Sequence, residues 1–301
     1  MVASSPRFPG PTAPPDNLRQ TINLPAKMTG PTPFTVIAET RTADGVFVPV
    51  PGARVRLDNF TGDCGFVDQT SALTNSSGVA TFTLLPKATC LEMGFFVSSS
   101  FDTILARTEQ VRVPIAFPVF LGDLRLLAAS QVPLAAHLEE VTGRLVITSS
   151  LEPLNVILPN LKRVGNGLYV FSAVSVQLPV LESVGFPGLT VGGLFLEDAR
   201  TTFVPTLTRF EAPALKQAHD IQIRDNTALR TLAIGPVKVQ SRFQISRNGF
   251  PNFARFSSGI EVGNGLYISD NTGFSNQKAL DFANRVTVLD GGVGVSRNTG
   301  P

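Results

Sequence analysis

A short apolar-x-apolar core recurs eight times through the C-terminal two-thirds of the chain. The copies are Leu124/Leu126, Leu145/Ile147, Leu168/Val170, Leu194/Leu196, Ile221/Ile223, Phe243/Ile245, Leu266/Ile268 and Val293/Val295. Successive copies lie 21 to 27 residues apart. One such unit cannot bury its own apolar edge, whereas stacked copies share a continuous core, so a period of this length predicts a solenoid over residues 119–301. Most copies follow a glycine or polar turn, as in Asn166-Gly167, Gly192-Gly193 and Gly291-Gly292. Between them recurs a proline unit, as in Leu158-Pro159-Asn160-Leu161 and Leu178-Pro179-Val180-Leu181, with further copies at Pro213 and at residues 250–256. Each repeat is therefore expected to be one short strand, a turn and an inward-facing return segment.

In the last half of the array an asparagine follows the strand at a fixed distance: Asn226, Asn248, Asn271 and Asn298. An amide both donates and accepts, so these four are expected to satisfy backbone groups in the turns, as a structural Asn ladder. The earlier strands lack the residue, carrying Ser150, Ala173 and Ala199 instead. Residues 119–140 read either as a capping helix, from Leu121, Leu124, Leu127 and Ala128, or as a first repeat. The first repeat is preferred because Pro133 would interrupt a long helix.

A strand of the form L-x-L-x-x-N with this period is the leucine-rich repeat pattern. With strands such as Gly265-Leu-Tyr-Ile-Ser-Asp-Asn271 and a closing segment over residues 275–284, the array resembles the receptor L-domain family. The resemblance implies a β-solenoid of about eight repeats ending in a helix and a last strand. The family's cysteine near that helix is absent here.

Residues 34–118 show a different rhythm. Short stretches at residues 34–41, 46–57, 78–85, 94–100 and 104–113 alternate apolar and polar residues and are separated by turn formers. That is the pattern of an antiparallel β-sandwich. Val50-Pro-Gly-Ala-Arg-Val55 and Thr74-Asn-Ser-Ser-Gly-Val-Ala-Thr-Phe82 resemble bacterial immunoglobulin-like or prealbumin-like surface modules, which implies a spacer that presents another domain. Residues 1–33 hold eight prolines and are expected to be a disordered Pro-rich tether. The whole is thus mainly β, a sandwich followed by a solenoid.

Composition narrows the functional classes. With 25 basic and 23 acidic residues no broad nucleic-acid-binding surface is expected. Two histidines and two cysteines leave no metal centre in prospect, and no apolar run is long enough to be a transmembrane segment. Cys64 and Cys90 are expected to form a disulfide rather than two free thiols, and a catalytic thiol is not expected because neither histidine lies in this domain. A disulfide would fit a protein outside the cell or in the cell envelope, the expected location, although no signal peptide is visible at residues 1–5. No catalytic residues and no cofactor are assigned, since no phosphate loop, dinucleotide fingerprint, nucleophile elbow or paired carboxylates can be found.

The candidate binding residues lie at the x positions of the repeat strands, which point away from the core. They are Tyr169, Phe171, Phe195, Glu197, Gln222, Arg224, Gln244 and Tyr267. Both tyrosines of the chain fall in this row. Aromatic and polar groups on a rigid sheet suit a protein or glycan partner, or else serve to shield strand edges. The expected function is that of a non-catalytic adhesion or binding protein, with a ligand-free envelope component or a glycan-binding accessory module as alternatives.

Overall fold

The computed structural model describes residues 18–59, 61–102, 104–106, 108–149, 152, 154–185, 192–197, 207–249, 256 and 258–300. The chain divides into two compact units, Met1–Ala116 and Phe117–Pro301.

The first unit holds two antiparallel sheets. One pairs Leu18–Asn23, Thr32–Arg41, Val79–Pro86 and Gly65–Val67 in that order, with Phe47–Pro49 also on Thr32–Arg41. The other runs Glu109–Pro114, Glu92–Phe101, Arg54–Asn59 and Ser71–Leu73, with Ile104–Leu105 added to Glu92–Phe101. Alternation along Thr32–Arg41 buries Phe34, Val36 and Ala38, and along Glu92–Phe101 it buries Met93, Phe95 and Val97. The two inner faces meet where the Phe34 ring lies 5.4 Å from that of Phe95. The sheets thus form the expected sandwich.

The expected tether over residues 1–33 needs correction. Residues 1–17 lie outside the described residues, but Leu18–Asn23 is a strand with six residues in register against residues 35–40. The stretch is free of proline between Pro15 and Pro25, and Leu18 packs with Ala38, Val50, Ala53 and Ala106. Its alternation was hidden by the prolines on both sides.

The second unit is a parallel β-solenoid of about seven turns. All eight sequence repeats become strands of one sheet: Leu124–Leu126, Arg144–Ile147, Gly167–Val170, Gly193–Glu197, Asp220–Arg224, Arg242–Ser246, Gly265–Ser269 and Gly292–Ser296. Their register matches the repeat alignment, with Leu145 opposite Leu168, Leu168 opposite Leu194, and Ile221 opposite Phe243. A second eight-stranded sheet is built of two-residue strands from Val119–Phe120 to Thr287–Val288. A third, of four strands, comprises Asn155–Ile157, Ser175–Gln177, Arg209–Ala212 and Thr231–Ile234.

The inward positions fill the core. Leu168, Leu194, Ile221, Ile223, Phe243, Ile245, Leu266 and Ile268 are wholly buried. The proline units supply the return wall, burying Leu158, Leu161, Val164, Leu178, Leu181 and Val184. Of the copy at residues 250–256, positions 250–255 lie outside the described residues, and Phe256 bridges Ile234.

Helices replace the third-sheet strand at both ends of the stack. Residues 119–140 contain the first repeat strand, the preferred reading; Leu121, Leu124, Leu127 and Ala128, which read as a capping helix, are not helical, and a short helix lies just beyond them at Gln131–Ala135. Pro133 sits in the helix's first turn, where its missing N–H costs no intrahelical bond. Asn276–Ala283 closes the other end as expected, with Ser275 Oγ accepting from the Lys278 N–H.

Candidate functional site

The outward positions of the repeat strands form one continuous row. Arg125, Val146, Tyr169, Phe195, Gln222, Gln244, Tyr267 and Gly294 stand opposite one another on successive strands. The parallel, in-register stack fixes this row, because each turn of the solenoid returns the chain to the same place one strand further on.

The row has two distinct aromatic parts. Tyr169 and Phe195 stack with ring centroids 4.8 Å apart and planes 9° apart, and Phe171 stacks on Tyr169 at 6.2 Å. The facing sides of these rings are occupied by each other, and all three residues are half-buried. From the sequence they were expected to be open aromatics, but adjacent in-register strands bring such rings face to face. This cluster therefore supports the sheet more than it offers ring faces to a ligand.

Tyr267 is different. It is 43% exposed, between Gln244 and Gly294. A Cβ built on Gly265 would lie 3.0 Å from Tyr267 Cε2, and one on Gly294 would lie 3.2 Å from Cδ1. The ring thus lies across two glycines that leave room for it, one on its own strand and one on the next.

The polar candidates surround this arrangement. Arg224 Nη2 donates to Glu197 Oε2 at 3.1 Å across the Glu197–Arg224 pair of neighbouring strands. Gln244 Nε2 donates to Ser246 Oγ at 3.3 Å. Gln222 departs from the expectation of an outward polar group, because only 9% of it is exposed between Phe195 and Gln244.

Beside the row runs the Asn ladder. Asn226 N and Nδ2 both donate to Asn248 Oδ1, Asn248 does the same to Asn271, and Asn271 to Asn298, at 2.8–3.1 Å. Each Nδ2 also reaches a strand carbonyl, those of Leu196, Ile223, Ile245 and Ile268. Asn226 Oδ1, the acceptor that a preceding rung would fill, is buried without a partner among the described residues. The corresponding Ala199 lies outside the described residues.

Two elements of this ladder were not read from the sequence. Asp225, Arg247, Asp270 and Arg297, each just before a ladder asparagine, adopt positive φ of 53–62°. Stacked on successive turns, they form charged pairs, Arg247 with Asp225 and Arg297 with Asp270. The alternation Asp, Arg, Asp, Arg before the asparagines is the signal that could have found them. The hydrogen bonds from Arg297 hold the Asp270 carboxyl below the usual aspartate range, and Asp225 raises Arg247 above its ordinary value. The other is Asn276, which ends the ladder.

Cys64 and Cys90 form a disulfide, with Cα atoms 5.3 Å apart. His137 Nε2 lies 3.0 Å from the Phe117 carbonyl oxygen, and His219 Nδ1 lies 3.2 Å from Gln240 Oε1. Glu139 and Glu140 are taken up by Lys162 and Arg163. Among the described residues no three metal-ligating side chains converge, and no helix is long and apolar enough to cross a membrane. No protein-family model, curated protein or solved structure matches the chain.

Proposed function

We propose that the chain is a non-catalytic, exported or cell-surface binding protein whose solenoid presents the row from Tyr169 to Tyr267 to a protein or glycan partner. The observation that carries this reading is Tyr267, an exposed ring laid across two glycines of a rigid sheet. A ring held flat in this way gives one face to the protein and keeps the other for a ligand, and little side-chain freedom remains to be lost on binding. Gln244, Ser269 and the Glu197–Arg224 pair supply hydrogen-bonding groups on the same surface. The disulfide supports export. The family resemblances, receptor L-domain for the solenoid and immunoglobulin-like or prealbumin-like for the first unit, belong to the same proposal.

A glycan partner is favoured by the flat ring with amide and hydroxyl neighbours, a combination that fits the apolar face and hydroxyl edge of a sugar. The test is binding of the labelled chain to a glycan array and to intact cells, for the wild type and for the combined replacement of Tyr169, Phe195 and Tyr267 by Ala. Loss of saturable binding in the variant is expected. Unchanged binding would remove the row as the recognition face.

A further inference from the structure

Beyond the closing helix, the last turn of the solenoid leaves an apolar strand edge uncovered. In the preceding strand the two inward residues, Leu266 and Ile268, are wholly buried, whereas Val293 in the last strand is 50% exposed. Leu289, just past the last strand of the second sheet, is 65% exposed. Gly292–Ser296 pairs with Gly265–Ser269 on one side, and among the described residues no strand pairs with its other edge. This edge has no charge and no proline, the usual protections against edge-to-edge pairing.

We propose that this edge pairs with the same edge of a second copy of the chain, joining two solenoids end to end about a twofold axis through Gly294. The backbone directions favour this occupant. The Ser296 carbonyl accepts from the Asp270 N–H, so it points into the sheet. Since backbone groups alternate along a strand, Gly294 and Gly292 also point inward, and the N–H and C=O groups of Val293 and Val295 point outward. In an antiparallel pairing centred on Gly294, Val293 faces the copy's Val295, and each pair exchanges two hydrogen bonds. Four outward donors and acceptors on each strand are then satisfied by an identical strand, with no change of register.

The side chains agree. A twofold axis perpendicular to the sheet keeps the core face on one side, so Val293 and Val295 of both copies share one apolar layer. A second copy therefore supplies both the cover and the hydrogen bonds.

Sedimentation of the full chain and thiol cross-linking test the inference. A dimer is expected at about 10 μM protein, an ordinary range for specific association. Val295→Lys should sediment as a monomer while keeping a cooperative thermal transition. Gly294→Cys should form an intermolecular disulfide under mild oxidation without denaturant. Facing residues at a non-hydrogen-bonded antiparallel pair have Cα atoms about 4.5 Å apart, within disulfide reach. Both native cysteines are bonded to each other, so the introduced thiol would be the sole free one. A wild type that stays monomeric, one that forms open-ended chains, or a dimer whose introduced thiols do not couple would overturn the proposal.

Discussion

The side-chain oxygen of Asn276 accepts from both the backbone N–H and the Nδ2 of Asn298, at 2.9 and 2.8 Å. The first residue of the closing helix thereby performs for the last rung what Asn298 performs for Asn271. The helix ends the ladder as well as the core, so the stack stops with its last amide satisfied.

Interior rungs should therefore matter more than the terminal one. Asn248→Ala removes the acceptor for Asn226 and the donor to Ile223, Ser246 and Asn271, all buried. A loss of about 2–4 kcal/mol in denaturant unfolding of the solenoid is expected, from several unmet buried groups at about 1–3 kcal/mol each. Asn276→Ala, at the partly exposed end, should cost about half as much. Equal losses would argue against a cooperative ladder.

The first unit depends on Cys64–Cys90. The bridge closes a 26-residue separation. Chain-entropy arguments assign such a loop about 3.5 kcal/mol, so paired Cys→Ser replacement should lower the stability of the sandwich by this order. The solenoid transition should not move. In protein taken from its native host, a non-reducing peptide map should find the two cysteine peptides linked, and free thiols there would count against export.

Asp270 gives the solenoid a pH signature. Its carboxyl is held below the usual range, chiefly by the hydrogen bonds from Arg297. Its contribution is thus present above the unfolded-state value of about 3.9 and fades as pH falls through the lower folded value. The thermal midpoints of wild type and Asp270→Asn should differ at pH 7 and at pH 5, then converge in strong acid. A gap that persists at the acid end would point to a cause other than the ion pair.

Adjacent glycines should respond unequally. Gly291 has φ of +133°, and a Cβ there would sit 1.9 Å from the Asn264 carbonyl oxygen. Gly292 has open space at the same point. Gly291→Ala is expected to cost more than about 2 kcal/mol, from strain plus displacement of the stacked turn, and Gly292→Ala less than about 1 kcal/mol. Thermal unfolding of the two variants decides this.

Much of the solenoid was legible because its signals are periodic. Leu168/Val170 and Leu194/Leu196 recur on the inward side of every turn, so aligning the repeats also aligned the strands. Asn226 to Asn298 declared the ladder in the same way. Features set by a single residue or by the partner strand were not legible. Leu18–Asn23 became a strand only because Thr32–Arg41 offers it an edge. Asn276 looks like any first-turn helix residue until Asn298 is placed beside it. Among the candidate site residues, the row was legible but its division was not, since ring stacking at Tyr169 and Phe195 depends on side-chain orientation across strands.

That division gives the most direct test of the binding face. Phe195→Ala should lower stability by about 1–2 kcal/mol through loss of a stacked, half-buried ring, and affect binding less. Tyr267→Ala should leave the thermal midpoint nearly unchanged. The decisive measurement is the affinity of Tyr267→Ala for whichever glycan or cell surface the wild-type chain binds. The account predicts a loss of at least about tenfold, the scale of one anchoring aromatic. Wild-type affinity in a folded Tyr267→Ala chain would contradict it.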